Sequence, residues 1–591
     1  MFEPIYTGAL LILMLILVAR DTFRPSMVAF GMLIMLIVGG VISTDEAFHG
    51  FSNHGMLTVG FLFVVSAALQ VSGIFESFIA WILGDSKTGT TLRYFRLLFP
   101  VAGLSAFLNN TPIVASLLPM IKAWAKKHNL SASKYLIPLS YAAILGGMCT
   151  LIGTSTNLIV HGQLLENGLE GFTFFEISKI GLPVTVLTLI FLVFVGPRLL
   201  PDRKEPIVQL GESTREFVVE CKIGNEYPHI GKTVEDANLR HLNGLYLFQI
   251  TRRDKVIAPV SHTTLLEHDD RLFFTGLPET IMDLQRTPGL QSIKDPEFDL
   301  KNFDSDKLQT FEAVVSNNSP LIGQTVRDSQ FRQRYGGVIL AIHRSGNRVN
   351  KKVGSIVFEP SDTLFILARK GFDKKYYHAS DFSLVSSSVN VVSKPKWKGN
   401  LALFILVMMI LAAALNWLPI ITASAVAAGL LVILAIIEDN NAFNAVDWHV
   451  LLYIASSFGI AKGMANSGLA DMVAKTIVNL LDFLGPIGIL AGLFVATSSF
   501  TWLIINNAVA AIMFPVTMSI AKTVQMDTKP LMLVLAVAAS TCFATPIGYQ
   551  TNLMVYSAGG YKFRDFLKIG IPTTLFVGTI SMIVIYLLYF R

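Results

Sequence analysis

Long apolar runs separated by short polar connections dominate both ends of the chain. Runs long enough to cross a hydrocarbon layer, alone or with flanking interfacial residues, lie at residues 6–18, 27–42, 56–83, 182–195, 401–415, 423–437 and 571–590. The middle of the chain differs, because charged residues become more frequent and short strand-like runs such as Phe217-Val218-Val219 appear. The pattern predicts two transmembrane portions that flank a soluble insert.

The composition supports a membrane protein. Of the 591 residues, 52% are hydrophobic and only 15% are charged, whereas soluble domains carry about 25% charged residues. The first apolar run lacks a small-residue cleavage site and leads directly into Arg20, which favours a helix over a signal peptide. The basic residues lie mostly in loops or in the insert, so the net charge of +6 does not indicate nucleic-acid binding.

The two transmembrane portions are related by an internal duplication. The sequence TLIGTSTNLIV at residues 150–160 matches TPIGYQTNLMV at residues 545–555 in seven of eleven positions, at a spacing of 395 residues (545 − 150). The same spacing pairs His54 with His449 and Ser72 with Ser467. Because one register persists over so long a stretch, we interpret residues 1–203 and 394–591 as two transmembrane repeats.

The positions of the basic residues predict the orientation of the repeats. Loops rich in lysine and arginine face the cytoplasm, and they alternate here with neutral or acidic loops at residues 43–46 and 166–176. The protein is therefore expected in the cell membrane (inner or plasma membrane). Its N-terminus is expected outside the cell and the insert in the cytoplasm. Each half then needs about five spans and one re-entrant hairpin. The second half starts on the opposite side from the first, so the repeat is inverted.

The insert is also predicted to be duplicated. The sequence IGKTV at residues 230–234 resembles IGQTV at residues 322–326, and DRLF at 270–273 resembles DTLF at 362–365. We expect two small α+β domains, at residues 204–295 and 296–393. The stretch Gly231-Lys232-Thr233 lacks the first glycine of a phosphate-binding loop, where Glu226 stands. Nothing in the insert predicts ATP hydrolysis, and we expect no enzyme activity.

Paired asparagines mark the first candidate site. They occur in LNNTPIVASLLPM (residues 108–120) and INNAVAAIMFPV (residues 505–516), inside otherwise apolar sequence. Amides at such positions are costly unless they are satisfied. Asn110-Thr111-Pro112 has the polar cap and early proline of a helix start. The alternative is a capped packing hairpin, but recurrence of the pair in both halves favours a functional tip.

Glycine and hydroxyl residues mark a second segment in each half. The first half has Gly153, Thr154, Ser155, Thr156 and Asn157, which are matched by Gly548, Thr551 and Asn552. Such residues inside a spanning pattern indicate a broken helix, which frees carbonyls for a cation and aims helix N-termini at an anion. The alternative is a kinked packing helix. The four segments contain no lysine or arginine, so neutral donors and helix dipoles are expected to hold a divalent anion that must be released again.

These paired hairpin and broken-helix motifs resemble the divalent anion/sodium symporter family. That family carries Ser-Asn-Thr at each hairpin tip, where this sequence has Asn109-Asn110-Thr111 and Asn506-Asn507-Ala508. The departure at Ala508 removes a donor and weakens the case for a dicarboxylate substrate. The resemblance implies an elevator-type homodimer with sodium as the coupling ion and no other cofactor.

The resemblance also implies roles for individual residues. Substrate contacts are expected at Asn110, Thr111 and Asn507, with hydroxyl donors at Thr156 and Thr551. Sodium-binding positions are expected at Asn109, Thr150, Gly153, Thr154, Asn157, Asn506, Thr545, Gly548 and Asn552.

The insert resembles paired TrkA C-terminal domains, which are regulatory modules of potassium uptake systems. Together with NNTP and TPIGYQTNLMVYSAGGY (residues 545–561), it is similar to the sulfate-transporting branch of the family. The resemblance therefore implies sulfate and sodium as partners, and a small-molecule or nucleotide effector at the insert.

Five alternatives stay open at this point. The fold could carry dicarboxylates or another oxoanion, or it could export arsenite. It could also exchange sodium for protons, although proton exchange would need carboxylates and the four motifs contain none. A potassium channel would need a filter such as TVGYG, and the run at Thr58-Val59-Gly60-Phe61 lacks its second glycine. A sensor that binds an anion without transporting it is the fifth.

Several further residues are given no role in binding. His54 and His449 are expected to have an interfacial or capping role rather than to relay protons. Glu76 and Lys462 have no counterpart in the other half and are expected to pair within the scaffold or reach the interface. The cysteines Cys149, Cys221 and Cys542 lack metal-ligand spacing and are expected to pack in the interior.

Overall fold

The computed structural model describes most of the helical portions and the sheets of the insert. The described residues are 2–20, 23–72, 89–128, 130–203, 218–239, 245–253, 255–257, 260–261, 263–276, 289–292, 308–316, 319–344, 347–349, 351, 353–360, 362–369, 371–372, 376, 381–387 and 396–590. The chain forms two compact units. One comprises Met1–Asp202, Val392–Val555 and Lys562–Arg591, and the other comprises Arg203–Val391 with Tyr556–Tyr561.

The first half of the helical unit contains nine described α-helices. They are α1 (Phe2–Ala19), α2 (Pro25–Val38), α3 (Thr44–Phe48), α4 (His54–Val71), α5 (Thr90–Ser105), α6 (Asn110–Lys127), α7 (Leu136–Gly147), α8 (Ser155–Glu166) and α9 (Ser178–Leu199). Helix α4 accounts for the start of the apolar run at 56–83, and the rest of that run, including Glu76, lies outside the described residues. Helices α5 and α6 are joined by the short segment 106–109, where the first hairpin tip is predicted, and the predicted helix start at Asn110 is confirmed.

In the insert unit, ten strands and one short helix are described. They are β1 (Val218–Ile223), β2 (Leu245–Arg252), β3 (Lys255–Ile257), β4 (Arg271–Gly276), β5 (Leu290–Ser292), β6 (Leu308–Val315), α10 (Phe331–Tyr335), β7 (Gly337–Arg344), β8 (Asn347–Arg348), β9 (Thr363–Arg369) and β10 (Phe382–Ser387). The strands form two five-stranded sheets, in the orders β3-β2-β4-β1-β5 and β10-β6-β9-β7-β8. Read from the opposite edge, the second order repeats the first.

The second half of the helical unit follows the insert in sequence. Its α-helices are α11 (Lys396–Ala414), α12 (Ile420–Ile433), α13 (Asp439–Ala445), α14 (Trp448–Asn466), α15 (Leu469–Leu481), α16 (Gly485–Thr501), α17 (Asn506–Val524), α18 (Thr528–Ser540), α19 (Gln550–Ala558) and α20 (Phe563–Tyr589). Helices α16 and α17 form a second hairpin, whose tip lies between Thr501 and Asn506.

Both predicted helix breaks are confirmed. Helix α7 ends at Gly147 and α8 begins at Ser155, so seven residues from Met148 to Thr154 separate the two helices. Helix α18 ends at Ser540 and α19 begins at Gln550, with Thr541–Tyr549 between them. Irregular backbone in a spanning protein is tolerated where other protein groups bury it, and almost every residue of both breaks is buried.

Six of the helical stretches in the described residues are long and apolar enough to cross a membrane: Thr44–Val71, Ser178–Leu199, Trp397–Ala414, Leu469–Thr501, Asn506–Val524 and Phe563–Tyr589. Four shorter apolar helices accompany them, at Phe2–Val18, Pro25–Val38, Ile420–Ile433 and Thr528–Ser540. Large apolar side chains such as Phe404, Ile433 and Leu575 are exposed on these helices, as is expected of surfaces that face lipid tails.

An arginine clamp recurs in the two sheets of the insert, at a spacing of 92 residues (344 − 252). Arg252 donates from Nε and Nη2 to the two carboxylate oxygens of Asp270, at 2.8 Å each. Arg344 makes the same fork to Asp362, at 2.8 and 2.9 Å. Both aspartates are fully buried. The hydrogen bonds to Asp362 raise the pKa of the Arg344 guanidinium, so it stays charged at physiological pH.

Replacing Arg344 with alanine is expected to destabilise the second sheet by about 3 kcal/mol, because Asp362 would remain buried without its partner. Hydrogen exchange of the full-length protein would measure this as faster exchange of the amides in β7 and β9. Arg327→Ala is the matched control, because Arg327 is exposed. Equal exchange rates in the two variants would contradict the prediction.

Candidate functional site

The first hairpin tip is held by the side chain of Asn110, which is fully buried. The Ser105 hydroxyl, at the end of α5, donates to Asn110 Oδ1 at 2.6 Å. Asn110 Nδ2 in turn donates to the hydroxyl of Tyr549, which lies in the second break. Both ends of the amide are therefore satisfied, as a buried polar group requires.

Backbone carbonyls surround the first break. Asn157 Nδ2 donates to the carbonyls of Thr150, at 2.8 Å, and Gly147, at 3.3 Å. The Thr150 hydroxyl donates to the carbonyl of Ala106 in the hairpin tip. These contacts connect the break to the hairpin of its own half and concentrate oxygen atoms around it.

The second half repeats this arrangement. Asn552 Nδ2 donates to the carbonyls of Cys542, at 2.7 Å, and Thr545, at 3.2 Å. The Thr545 hydroxyl donates to the carbonyl of Trp502 in the second hairpin tip, at 3.1 Å. Asn552, Cys542 and Thr545 each follow Asn157, Gly147 and Thr150 by 395 residues (552 − 157). The sequence repeat is therefore matched by a repeat of hydrogen bonds.

A glycine in each break allows the carbonyls to come close. A Cβ at Gly153 would lie 2.7 Å from the Gly147 oxygen and 2.9 Å from the Ala106 oxygen. A Cβ at Gly548 would lie 2.0 Å from the Thr501 oxygen and 2.4 Å from Cys542 Sγ. Glycine is the residue that permits such close backbone approach. Clustered carbonyl and hydroxyl oxygens are the ligands that hard cations such as sodium prefer.

The two halves also contact each other through the tips and breaks. The Thr111 hydroxyl donates to Gln550 Oε1 at 3.2 Å. The Ser155 hydroxyl donates to Asn507 Oδ1 at 2.7 Å. In each case a hairpin tip of one half meets the broken helix of the other. Thr111, Ser155 and Gln550 are at least partly exposed.

Four helices begin at this meeting point. They are α6 at Asn110, α8 at Ser155, α17 at Asn506 and α19 at Gln550. Helix N-termini carry partial positive charge and free N–H donors. In the described part of the chain, no side chain caps the N-terminus of α8 or α17. The arrangement can therefore attract and bind an anion without a cationic side chain.

The predicted site residues differ in exposure and in hydrogen-bond partners. Asn109 is partly exposed at the first tip, whereas Thr154, Asn506 and Asn507 are buried. The hydroxyls of Thr156 and Thr551, which are fully buried, bond to those of Ser540 at 2.6 Å and Ser140 at 2.8 Å. A substrate contact by either threonine would therefore require its hydrogen bond to a serine of the opposite half to break.

Several residues of this region were missed by the sequence analysis. Tyr549 and Gln550 lie within the repeated motifs, but they differ between the halves, so comparison of the repeats did not select them. Ser155 belongs to the predicted glycine-hydroxyl segment but was assigned no contact. Ser105, Ser140 and Ser540 lie in apolar helices, where one hydroxyl gives little signal. Ser140 Oγ also donates to Asn552 Oδ1 at 2.7 Å, so it supports a predicted sodium ligand.

The ionisable residues given no binding role take part in local contacts. Asn53 and Asp447, rather than the neighbouring histidines, cap α4 and α14, so the capping role considered for His54 and His449 is wrong. His449 Nε2 lies 2.7 Å from Arg24 Nη1, and His54 lines a cavity with His161. Lys462 Nζ lies 3.7 Å from Glu46 Oε1. The three cysteines are buried and free.

Comparison with known proteins finds similarity to a family of membrane transporters. The chain matches the model of the citrate transporter family over residues 12–538 and 485–591. It is 35% identical to a putative sulfur deprivation response regulator of Chlamydomonas reinhardtii, over 94% of this chain and 97% of that protein. An uncharacterized transporter of Synechocystis is 30% identical, over 99% and 97%. Sodium/sulfate cotransporter 1 of Chlamydomonas reinhardtii is 23% identical, over 94% and 86%.

Proposed function

The chain belongs to the citrate transporter family and is a multi-pass membrane transporter, and from this premise we propose that it is a sodium-coupled symporter that imports sulfate. The observation that carries the proposal is the convergence of four helix N-termini on neutral polar side chains. The names of the Chlamydomonas sodium/sulfate cotransporters support the choice of ions.

In this proposal the anion binds where the two halves meet. Asn110, Thr111 and Asn507 donate to it, and Ser155 and Gln550, which face the same region, add donors. Asn110, Thr111 and Ser155 already donate to neutral oxygens, and an anion oxygen can replace each of these acceptors with a stronger, charge-assisted hydrogen bond. A site without arginine or lysine also releases the anion more easily.

The carbonyl clusters within each half hold sodium. One involves Asn109, Thr150, Gly153, Thr154 and Asn157, and the other Asn506, Thr545, Gly548 and Asn552. Each cluster is bonded to the hairpin tip that also contacts the anion. Sodium binding therefore orders the tip and places positive charge beside the anion. Because such coupling is reciprocal, the anion raises the sodium affinity by the same factor.

The remaining parts of the proposal concern architecture. The two halves form an inverted repeat that works by an elevator-type alternating-access mechanism in a homodimer. The insert lies in the cytoplasm as two TrkA C-terminal-like domains, and a small molecule or nucleotide bound there regulates transport. The duplicated strand order and arginine clamps support two related domains in the insert.

Citrate or another carboxylate is a second candidate substrate, because the matching family model carries that description. The two candidates differ in shape, since sulfate is compact and citrate spreads its charges over three carboxylates. Ala508, which stands where the first tip has Thr111, removes one hydroxyl donor from the second tip. This favours the smaller anion.

Uptake into proteoliposomes tests the proposal directly. Radiolabelled sulfate and citrate are offered to the purified wild-type protein with an inward sodium gradient, and again with choline in place of sodium. We expect sodium-dependent accumulation of sulfate. Accumulation of citrate alone would select the second candidate, and uptake of either anion that ignores sodium would refute the symport.

Asn110→Ala is expected to raise the KM for sulfate about 30-fold. It removes the bonds to Ser105 and Tyr549, at about 1 kcal/mol each, and 1.4 kcal/mol corresponds to a factor of ten. Initial uptake rates over a range of sulfate concentrations measure the change. Asn444→Ala, at an exposed asparagine of α13, is the control. A wild-type KM in Asn110→Ala would contradict a contact between Asn110 and the anion.

A further inference from the structure

Tyr549 occupies an unusual place between the two hairpin tips. Its side chain is buried, with 7% exposed. The hydroxyl accepts a hydrogen bond from Asn110 Nδ2 of the first tip and lies 3.4 Å from the Thr154 hydroxyl of the first break. The side chain of Asn506, which begins the second tip, also interacts with this hydroxyl. One phenol thus connects both tips and both breaks.

This contact breaks the symmetry of the two halves. Tyr549 follows Thr154 by 395 residues (549 − 154), so a threonine stands at the same place in the first half. If position 549 were also a threonine, as position 154 is, the volume that the Tyr549 ring fills would be open. A hydroxyl has one proton and two lone pairs, and here it contacts Asn110 and Thr154 of the opposite half. These contacts and its burial hold the Tyr549 side chain in place.

The Tyr549 ring lies behind the accessible donors. Thr111, Ser155 and Gln550 are at least partly exposed, whereas Asn110, Thr154 and Asn506 are buried around the Tyr549 hydroxyl. A compact tetrahedral anion that binds the exposed donors can also take the Asn110 amide from the Tyr549 hydroxyl while the ring stays in place. A dicarboxylate or tricarboxylate that extends between the buried asparagines of the two tips would have to displace the ring.

We propose that Tyr549 is a specificity-determining residue, whose ring shortens the anion site and selects compact oxoanions over carboxylates with two or more separated charges. The proposal rests on the proposed function, since it assumes that the anion binds at the tips. The hydroxyl has a separate effect, because it positions Asn110. The ring and the hydroxyl can be tested separately, since phenylalanine retains the ring and threonine restores the residue of the first half.

Anion-dependent thermal stabilisation of the purified protein provides the test, because this readout does not depend on transport. Wild type, Tyr549→Thr and Tyr549→Phe are titrated with sulfate, succinate and citrate in the presence of sodium. We expect Tyr549→Thr to lower the ratio of the carboxylate Kd to the sulfate Kd at least 10-fold. Tyr549→Phe is expected to keep the wild-type ratio but to weaken the binding of all three anions several-fold.

Tyr453 provides the controls. It is a buried phenol of α14, and within the described residues its hydroxyl has no hydrogen-bond partner. Tyr453→Phe and Tyr453→Thr remove the same groups elsewhere in the helical unit and should leave the Kd ratio unchanged. Tyr549→Val, which also lacks the ring, replaces Tyr549→Thr if the latter does not yield a monodisperse protein.

The outcomes separate the inference from the proposed function. An unchanged Kd ratio in the variants that lack the ring would overturn the role of Tyr549, whatever the wild type transports. A wild type that binds citrate more tightly than sulfate would also overturn it. A lowered ratio without sodium-driven uptake would support the selectivity role and refute the symport.

Discussion

Gly548→Ala is expected to reduce sodium-driven anion uptake to the background of empty liposomes. The added methyl group would lie 2.0 Å from the Thr501 carbonyl oxygen and 2.4 Å from Cys542 Sγ. Neither distance is compatible with van der Waals contact, and a backbone carbonyl cannot move away as a flexible side chain does. The second break would therefore have to separate from the second hairpin tip, and the carbonyl cluster between them would be lost.

The corresponding change in the first half should have a smaller effect. A methyl group at Gly153 would lie 2.7 Å from the Gly147 oxygen and 2.9 Å from the Ala106 oxygen. These backbone contacts also require a shift, but a smaller one than the 2.0 Å contact at Gly548. We expect Gly153→Ala to retain measurable uptake with a raised sodium requirement. Uptake rates of both variants at saturating sodium provide the comparison.

The control for both variants is Gly429→Ala. Gly429 lies in α12, and no described atom comes within 4 Å of a Cβ placed there. Alanine in a helix interior is about 1 kcal/mol more favourable than glycine, so this variant should fold and transport as the wild type does. Wild-type transport by Gly548→Ala would show that the second break can open without loss of function, and would refute the predicted cation site there.

The separation of contacts suggests how two ions are coupled. Carbonyl contacts at the breaks are made within a half, as from Thr150 to Ala106 and from Thr545 to Trp502. Contacts of the tip side chains are made between halves, as from Thr111 to Gln550 and from Ser155 to Asn507. In the proposed symport, a cation that orders one tip would thereby act on a contact that the other half shares. An anion bound between the halves would then be coupled to both proposed cation sites.

Local patterns correctly indicated where several helices begin and end. The helix start at Asn110 follows from its cap and proline signals, and the glycine-hydroxyl segments correctly indicated where the helices end. The capping of α4 and α14 was missed, although Asn53 and Asp447 are favourable N-cap residues directly before His54 and Trp448. The N-cap preference of asparagine and aspartate alone gives the correct capping residue of both helices.

Contacts between the halves could not be predicted from one sequence. The bond from Asn110 to Tyr549 joins residues 439 positions apart, and that from Thr156 to Ser540 joins residues 384 positions apart. Such pairs depend on how the two halves of the helical unit pack against each other, and neither residue type nor periodicity encodes that packing directly. Comparison of the two repeats selects residues that both halves share. It could not select Tyr549, because the first half has Thr154 at the corresponding position.

Asn552→Ala is expected to raise the sodium concentration for half-maximal transport about 100-fold. The amide of Asn552 holds the carbonyls of Cys542 and Thr545, and its oxygen accepts from the Ser140 hydroxyl. Three hydrogen bonds at about 1 kcal/mol each amount to about 3 kcal/mol, which corresponds to about two factors of ten. We expect this loss to lower the sodium affinity, because the carbonyls of Cys542 and Thr545 would no longer be held toward the proposed sodium site.

Sodium titration of sulfate uptake distinguishes this effect from general damage. Asn167→Ala is the matched control, because Asn167 Nδ2 also donates to a backbone carbonyl, that of Gln163 at 2.8 Å, but at the end of α8 and outside both breaks. It should keep the wild-type sodium dependence. If Asn552→Ala lowers the maximal rate while the half-maximal sodium concentration stays constant, the amide supports the fold of the second break, and the cation must bind elsewhere.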